Sequence, residues 1–101
     1  MQLQNLIESL LSNEPDLENK IPLSIQALEN NILVKSKFYE GDLLMTVLAV
    51  KESFWKTNDT LWKEVLGVLE KQSDRIKNEA VSFEMKVDWY EKIKRFKGMQ
   101  L

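Results

Sequence analysis

At 101 residues, 44% apolar and 30% charged, the chain has the size and composition of one folded domain, which excludes wholesale disorder. A net charge of −2 argues against a polyanionic partner. The absence of cysteine and histidine removes disulfides, thiolate chemistry, histidine-dependent relays and His/Cys zinc sites together.

Leu3, Leu6, Ile7, Leu10 and Leu11 recur at helical spacing and predict an amphipathic helix over residues 2–12. This start lacks a basic leader and carries Glu8 inside its apolar rhythm, so it does not read as a signal peptide. Pro15 interrupts the helix, and Pro22 suits the first turn of a second. Ile25, Leu28, Ile32 and Tyr39 extend that second helix toward Gly41, which fits the left-handed position after a helix end. Asp42 then fits the N-cap of a third helix, with Leu43, Leu44, Val47, Leu48, Val50, Phe54 and Trp55 on one broad face. Leu43 to Val50 is the longest apolar-rich run and falls far short of the roughly 20 residues of a membrane span. A soluble, cytoplasmic protein without membrane association is the expectation.

"TNDT" at 57–60 is the next break. Beyond it Trp62, Leu66, Leu69, Ser73, Ile76, Ala80, Phe83, Val87 and Tyr90 alternate spacings of four and three, a heptad-like seam. It predicts one long helix, or two meeting near "QSD". Over residues 81–89 the same stretch also alternates apolar and polar by twos, as a half-buried strand does. Asp88 with Lys92 and Glu91 with Arg95 favour the helix, being acid-before-base pairs four apart. Glu and Lys are also poor strand residues. The expected fold is therefore all-α: a single domain over 1–101, a bundle of four to five helices with a long or two-part C-terminal helix. The alternative is α+β, with a 31–39/43–50 hairpin and a strand at 81–89.

Chemistry has few places to reside. Glu14, Asp16 and Glu18 alternate, but without the glycine and terminal glutamate of a calcium loop. Glu84, Asp88 and Glu91 share a helical face on which Lys92 and Arg95 are in reach. Both sets read as solvated surface, and the three glycines form no phosphate-binding loop. No catalytic residue, metal ligand or cofactor is assigned, and the chain is not expected to be an enzyme.

Charge is unevenly spread. Residues 1–34 hold five acids against Lys20, while residues 85–101 hold five bases against Asp88 and Glu91. With Trp89, Tyr90 and Phe96 nearby, the basic "KIKRFK" suggests a small nucleic-acid-binding regulator as a second reading. Those cations spread around the helix instead of forming a stripe, so the reading stays second.

The first reading comes from the two-faced last helix. Phe83, Val87 and Tyr90 continue the upstream seam, while Val81, Met85, Trp89, Ile93 and Phe96 lie roughly opposite. Burying that second face removes several hundred Å² from water, on the order of 10 kcal/mol. Either the helix is central and wrapped by the others, or Met85, Trp89, Ile93 and Phe96 dock on another chain. The function expected is a non-catalytic protein-binding module of accessory, regulatory or inhibitor/immunity type, with a homodimer as one form of that association.

Overall fold

Leu6, Ile7 and Leu10 fall on one face and are buried, which makes Leu3–Leu11 the first helix, α1. The computed structural model describes residues 3–11, 17–78 and 83–99, the side chains at 3, 4 and 83–85 excepted. The order continues with α2 (Leu17–Asn30), α3 (Asp42–Leu48), α4 (Glu52–Thr57), α5 (Asp59–Lys71), α6 (Ser73–Asn78) and α7 (Phe83–Lys97). The fold is all-α. Among the described residues seven helices stand where four to five were expected. The helix over Leu43 to Trp55 is broken at Ala49–Lys51. The C-terminal region, expected as one helix or two meeting near "QSD", is parted at Gln72 and carries α7 as a third helix.

α3 is the hub. It packs on α1, α2 and α7, while α5 closes the other side of α2 and carries α4 and α6. Leu43, Leu44 and Val47 are accordingly fully buried. α4 and α5 meet at Asn58, whose carbonyl accepts from Leu61 and Trp62 and whose side chain donates to the Phe54 carbonyl. The "TNDT" break is thus the junction of two helices. Trp55 and Phe96 meet edge to face at 5.2 Å between centroids, and Trp62 donates its indole N–H to the Phe96 carbonyl at 3.1 Å. These rings seal the end of α7 against α4 and α5.

Three local expectations are corrected. α2 starts at Leu17 and holds Pro22 inside, because burying Leu17 and Ile21 favours winding the chain before the proline. The second helix also stops at Asn30, and residues 31–41 form a loop with one isolated bridge, Lys35 to Glu40. Asn31 turns its side-chain oxygen onto the Leu33 N–H, an Asx turn that competes with the helix. The hairpin alternative fails as well, since residues 43–48 are helical and no strand occurs among the described residues. Of the alternating stretch 81–89, residues 83–89 lie in α7; 81 and 82 are outside the described residues.

The heptad seam does not carry through to α7. Leu69 and Ile76 are buried, but Val87 and Tyr90 are exposed, at 40% and 42%. The core takes the opposite face instead, Trp89, Ile93 and Phe96. A heptad phase persists only along a continuous helix; Ile76, just beyond Gln72, still keeps it, and the separate helix α7 does not.

Gly67 lies in the middle of α5, and nothing stands within 4 Å of where its Cβ would be. The backbone is ordinary helix, so the packing has no need of glycine there. Gly67→Ala is expected to stabilise the protein by about 1 kcal/mol, read as a rise in urea midpoint.

Candidate functional site

Among the described residues Phe38 and Tyr39 are adjacent exposed rings, at 56% and 43%. They lie in the 31–41 loop, which is tied down at four places. At its start the Gln72 side-chain oxygen accepts the Ile32 N–H at 2.9 Å. Its amide donates to the carbonyls of Leu28 and Glu29, the end of α2. One side chain in the α5–α6 break therefore caps one helix and anchors the loop.

Asp42 holds the other end. As the first residue of α3 it is buried, and its carboxylate turns back into the loop. It accepts the N–H groups of Ser36, Lys37 and Phe38 at 2.7, 2.8 and 2.7 Å, with Tyr39 farther at 3.4 Å. The N-cap position belongs to Gly41 and not to Asp42, one residue earlier than the sequence suggests. Burial alone would raise the Asp42 carboxyl, but the N–H donors of Phe38, Lys37, Ser36 and Tyr39 outweigh it and hold its pKa below the usual value.

Gly41 completes the turn with φ +89°, and a Cβ there would stand 3.0 Å from Cζ2 of Trp89. Glycine is required twice over, for the left-handed backbone and for the close approach of the indole. Trp89 thus lies beneath the loop's exit. On the outside, Lys37 pairs with Glu8 of α1.

Burial of the Tyr39 phenol and the Asp42 carboxylate raise its pKa, with Asp88 adding and Lys92 opposing. Asp88 and Lys92 form an ion pair on α7 at 2.9 Å, and both charges act on the phenol. The result is two aromatic side chains on a braced backbone, with mixed polar groups around them. Such a surface suits protein recognition: rigid rings supply contact area, and little entropy remains to be lost on binding.

A model of the CDI immunity proteins matches residues 4–65, more than half of the chain. The chain belongs to that family. An immunity protein binds and neutralises a toxin, so this is a protein-binding module of the inhibitor kind. The segment matched in the immunity family runs from residue 4, inside α1, through α2, the whole 31–41 loop, α3 and α4, and into the first half of α5. No curated protein and no solved structure was found to match the chain.

Three of the four residues expected at an interface, Trp89, Ile93 and Phe96, are buried in the immunity protein. Trp89 and Phe96 are 1% and 0% exposed, and Ile93 is buried, all within the chain's own core; the Met85 side chain is outside the described residues. Of the two roles open to that face, burial assigns the three described side chains to the core. The same burial leaves Tyr90 as the one exposed ring of the three beside "KIKRFK". Sequence reasoning missed Phe38 and Gln72. It placed Tyr39 on a helix, and only the pair of asparagines at 30–31 signalled that the helix stops.

Proposed function

We propose that this immunity protein captures its toxin through the surface centred on Phe38 and Tyr39, with the Asp88–Lys92 flank of α7 beside it. The observation that carries the reading is an exposed aromatic pair on a loop braced by Asp42, Gln72 and Trp89. Exposed aromatics on mobile loops lose entropy when they bind, whereas these two are already held in place. The protein acts in the cytoplasm by occlusion, with no catalytic step of its own. It meets the toxin as a monomer, since the α7 face that argued for a homodimer is spent on the core. Nucleic acid plays no part in this mechanism.

Phe38→Ala and Tyr39→Ala are each expected to weaken toxin binding by about 2 kcal/mol, some 30-fold, in calorimetric titrations against the cognate toxin. Circular dichroism of both variants should match the parent. A double variant that still binds within a few-fold of the parent, and still protects cells from the toxin, would remove this surface from the mechanism.

A further inference from the structure

Fixing the backbone of the 31–41 loop does not by itself fix the Phe38 ring. The ring is exposed, stands outside the core and the side chains packed on it, and belongs to no aromatic pair among the described residues. The group set against it is Lys37, whose ammonium lies over the ring face at 5.4 Å from the centroid, within reach of a cation–π attraction. On extended backbone two successive side chains point to opposite sides and do not meet in this way. Here the N–H groups of both residues converge on one oxygen, Oδ2 of Asp42, at 2.8 and 2.7 Å. That convergence turns the chain and brings the two side chains together. The same ammonium is held by Glu8 of α1. A helix, a carboxylate, a cation and a ring therefore stand in series.

The Glu8–Lys37 pair adds little to stability. Its side chains are 54% and 38% exposed, and ion pairs so open to solvent are close to neutral for folding. A surface lysine ordinarily samples many rotamers, yet this one is ordered against a ring that the core leaves uncovered. We propose that Lys37, anchored by Glu8, is a positioning residue for toxin capture: it holds the Phe38 ring in one rotamer, with one face under the ammonium and the other open to the toxin. The inference rests on the reading of the Phe38–Tyr39 surface given above and adds α1 to the site.

The test has one arm without toxin and one with it. In proton NMR of the intact free protein, the Lys37 ε-methylene protons should feel the Phe38 ring current and resonate upfield of the other lysines. Phe38→Ala and Glu8→Gln are each expected to return that signal to the ordinary lysine range, with the urea midpoint of Glu8→Gln at the parent value. In calorimetric titrations against the cognate toxin, Glu8→Gln and Lys37→Met should each weaken binding about threefold. The double variant should lose no more than either alone, because the two residues act as one unit. Lys37→Arg, which keeps the cation and its pairing with Glu8, should restore most of the affinity. In a Phe38→Ala background neither Glu8→Gln nor Lys37→Met should weaken binding further. A Lys37 that instead touches the toxin directly would lose the same affinity with or without the ring, and Glu8→Gln would then have no effect. Either result overturns the proposal, and so does an unshifted Lys37 signal in the parent while Phe38→Ala still lowers toxin binding. Failure of the underlying surface reading looks different: Phe38→Ala then binds toxin like the parent although the upfield Lys37 signal is present, and the surface and the proposal fall together.

Discussion

Trp89→Ala is expected to destabilise the protein by about 3–5 kcal/mol, a large part of the 5–15 kcal/mol that a domain of this size holds. The indole is 1% exposed and rests against Gly41 at the root of the 31–41 loop. Removing it leaves a cavity where α3 and α7 meet, lined by side chains that have no slack to fill it. Urea titration followed by tryptophan fluorescence and by circular dichroism should show a much lower midpoint with an unchanged slope. Trp55 and Trp62 retain the optical signal. Because Trp89 supports the loop from below, toxin binding should weaken as well, although the indole touches no partner. A variant that melts like the parent while losing binding would return Trp89 to the surface role that its periodicity allowed.

That ambiguity shows how far periodicity carries. Helical rhythm alone identifies α1 and the α3–α4 region, because Leu6, Leu10, Leu44 and Leu48 are both regularly spaced and buried. In α5 it finds the helix and Leu69, but Trp62 and Leu66 are half-buried while Val65 and Val68 take the core. It does not say which face of a two-faced helix turns inward. In α7 the choice is made by tertiary packing: Trp89 and Phe96 bury more area than Val87 and Tyr90 can, and Trp55 and Trp62 are placed to receive Phe96. Nor does rhythm see the loop. Ile32 continues the spacing of α2 and is fully buried, yet it is reached by an irregular chain whose N–H is satisfied by Gln72, forty residues away. Contacts of that separation leave no local signature. Asp42 was recognisable as a helix-start residue, but the direction of its carboxylate depends on the loop folding back over it.

Asp42→Ala is expected to loosen the whole 31–41 loop and to lower stability by about 3 kcal/mol. Three N–H groups, of Ser36, Lys37 and Phe38, lose an ionised acceptor at 2.7–2.8 Å. Hydrogen bonds to a charged group contribute about 1.5–3 kcal/mol each, and water reaching the opened loop recovers part of the total. Asp42→Asn keeps the shape but one neutral oxygen, and should fall between alanine and the parent. The same carboxylate imposes a pH dependence. Its pKa is lower in the folded protein than in the unfolded chain, so the unfolded chain binds the extra proton. Its stabilisation is therefore complete above the unfolded value of about 4 and is lost as the pH falls through the folded one. Urea midpoints of parent and Asp42→Ala should differ most at neutral pH and converge in acid. At neutral pH the variant retains both Phe38 and Tyr39, yet its affinity for the toxin should drop at least tenfold, because the loop must then be ordered at the moment of binding. Parent-like affinity in Asp42→Ala would mean that the two rings act without the brace, and that the rigidity of the loop serves the fold alone.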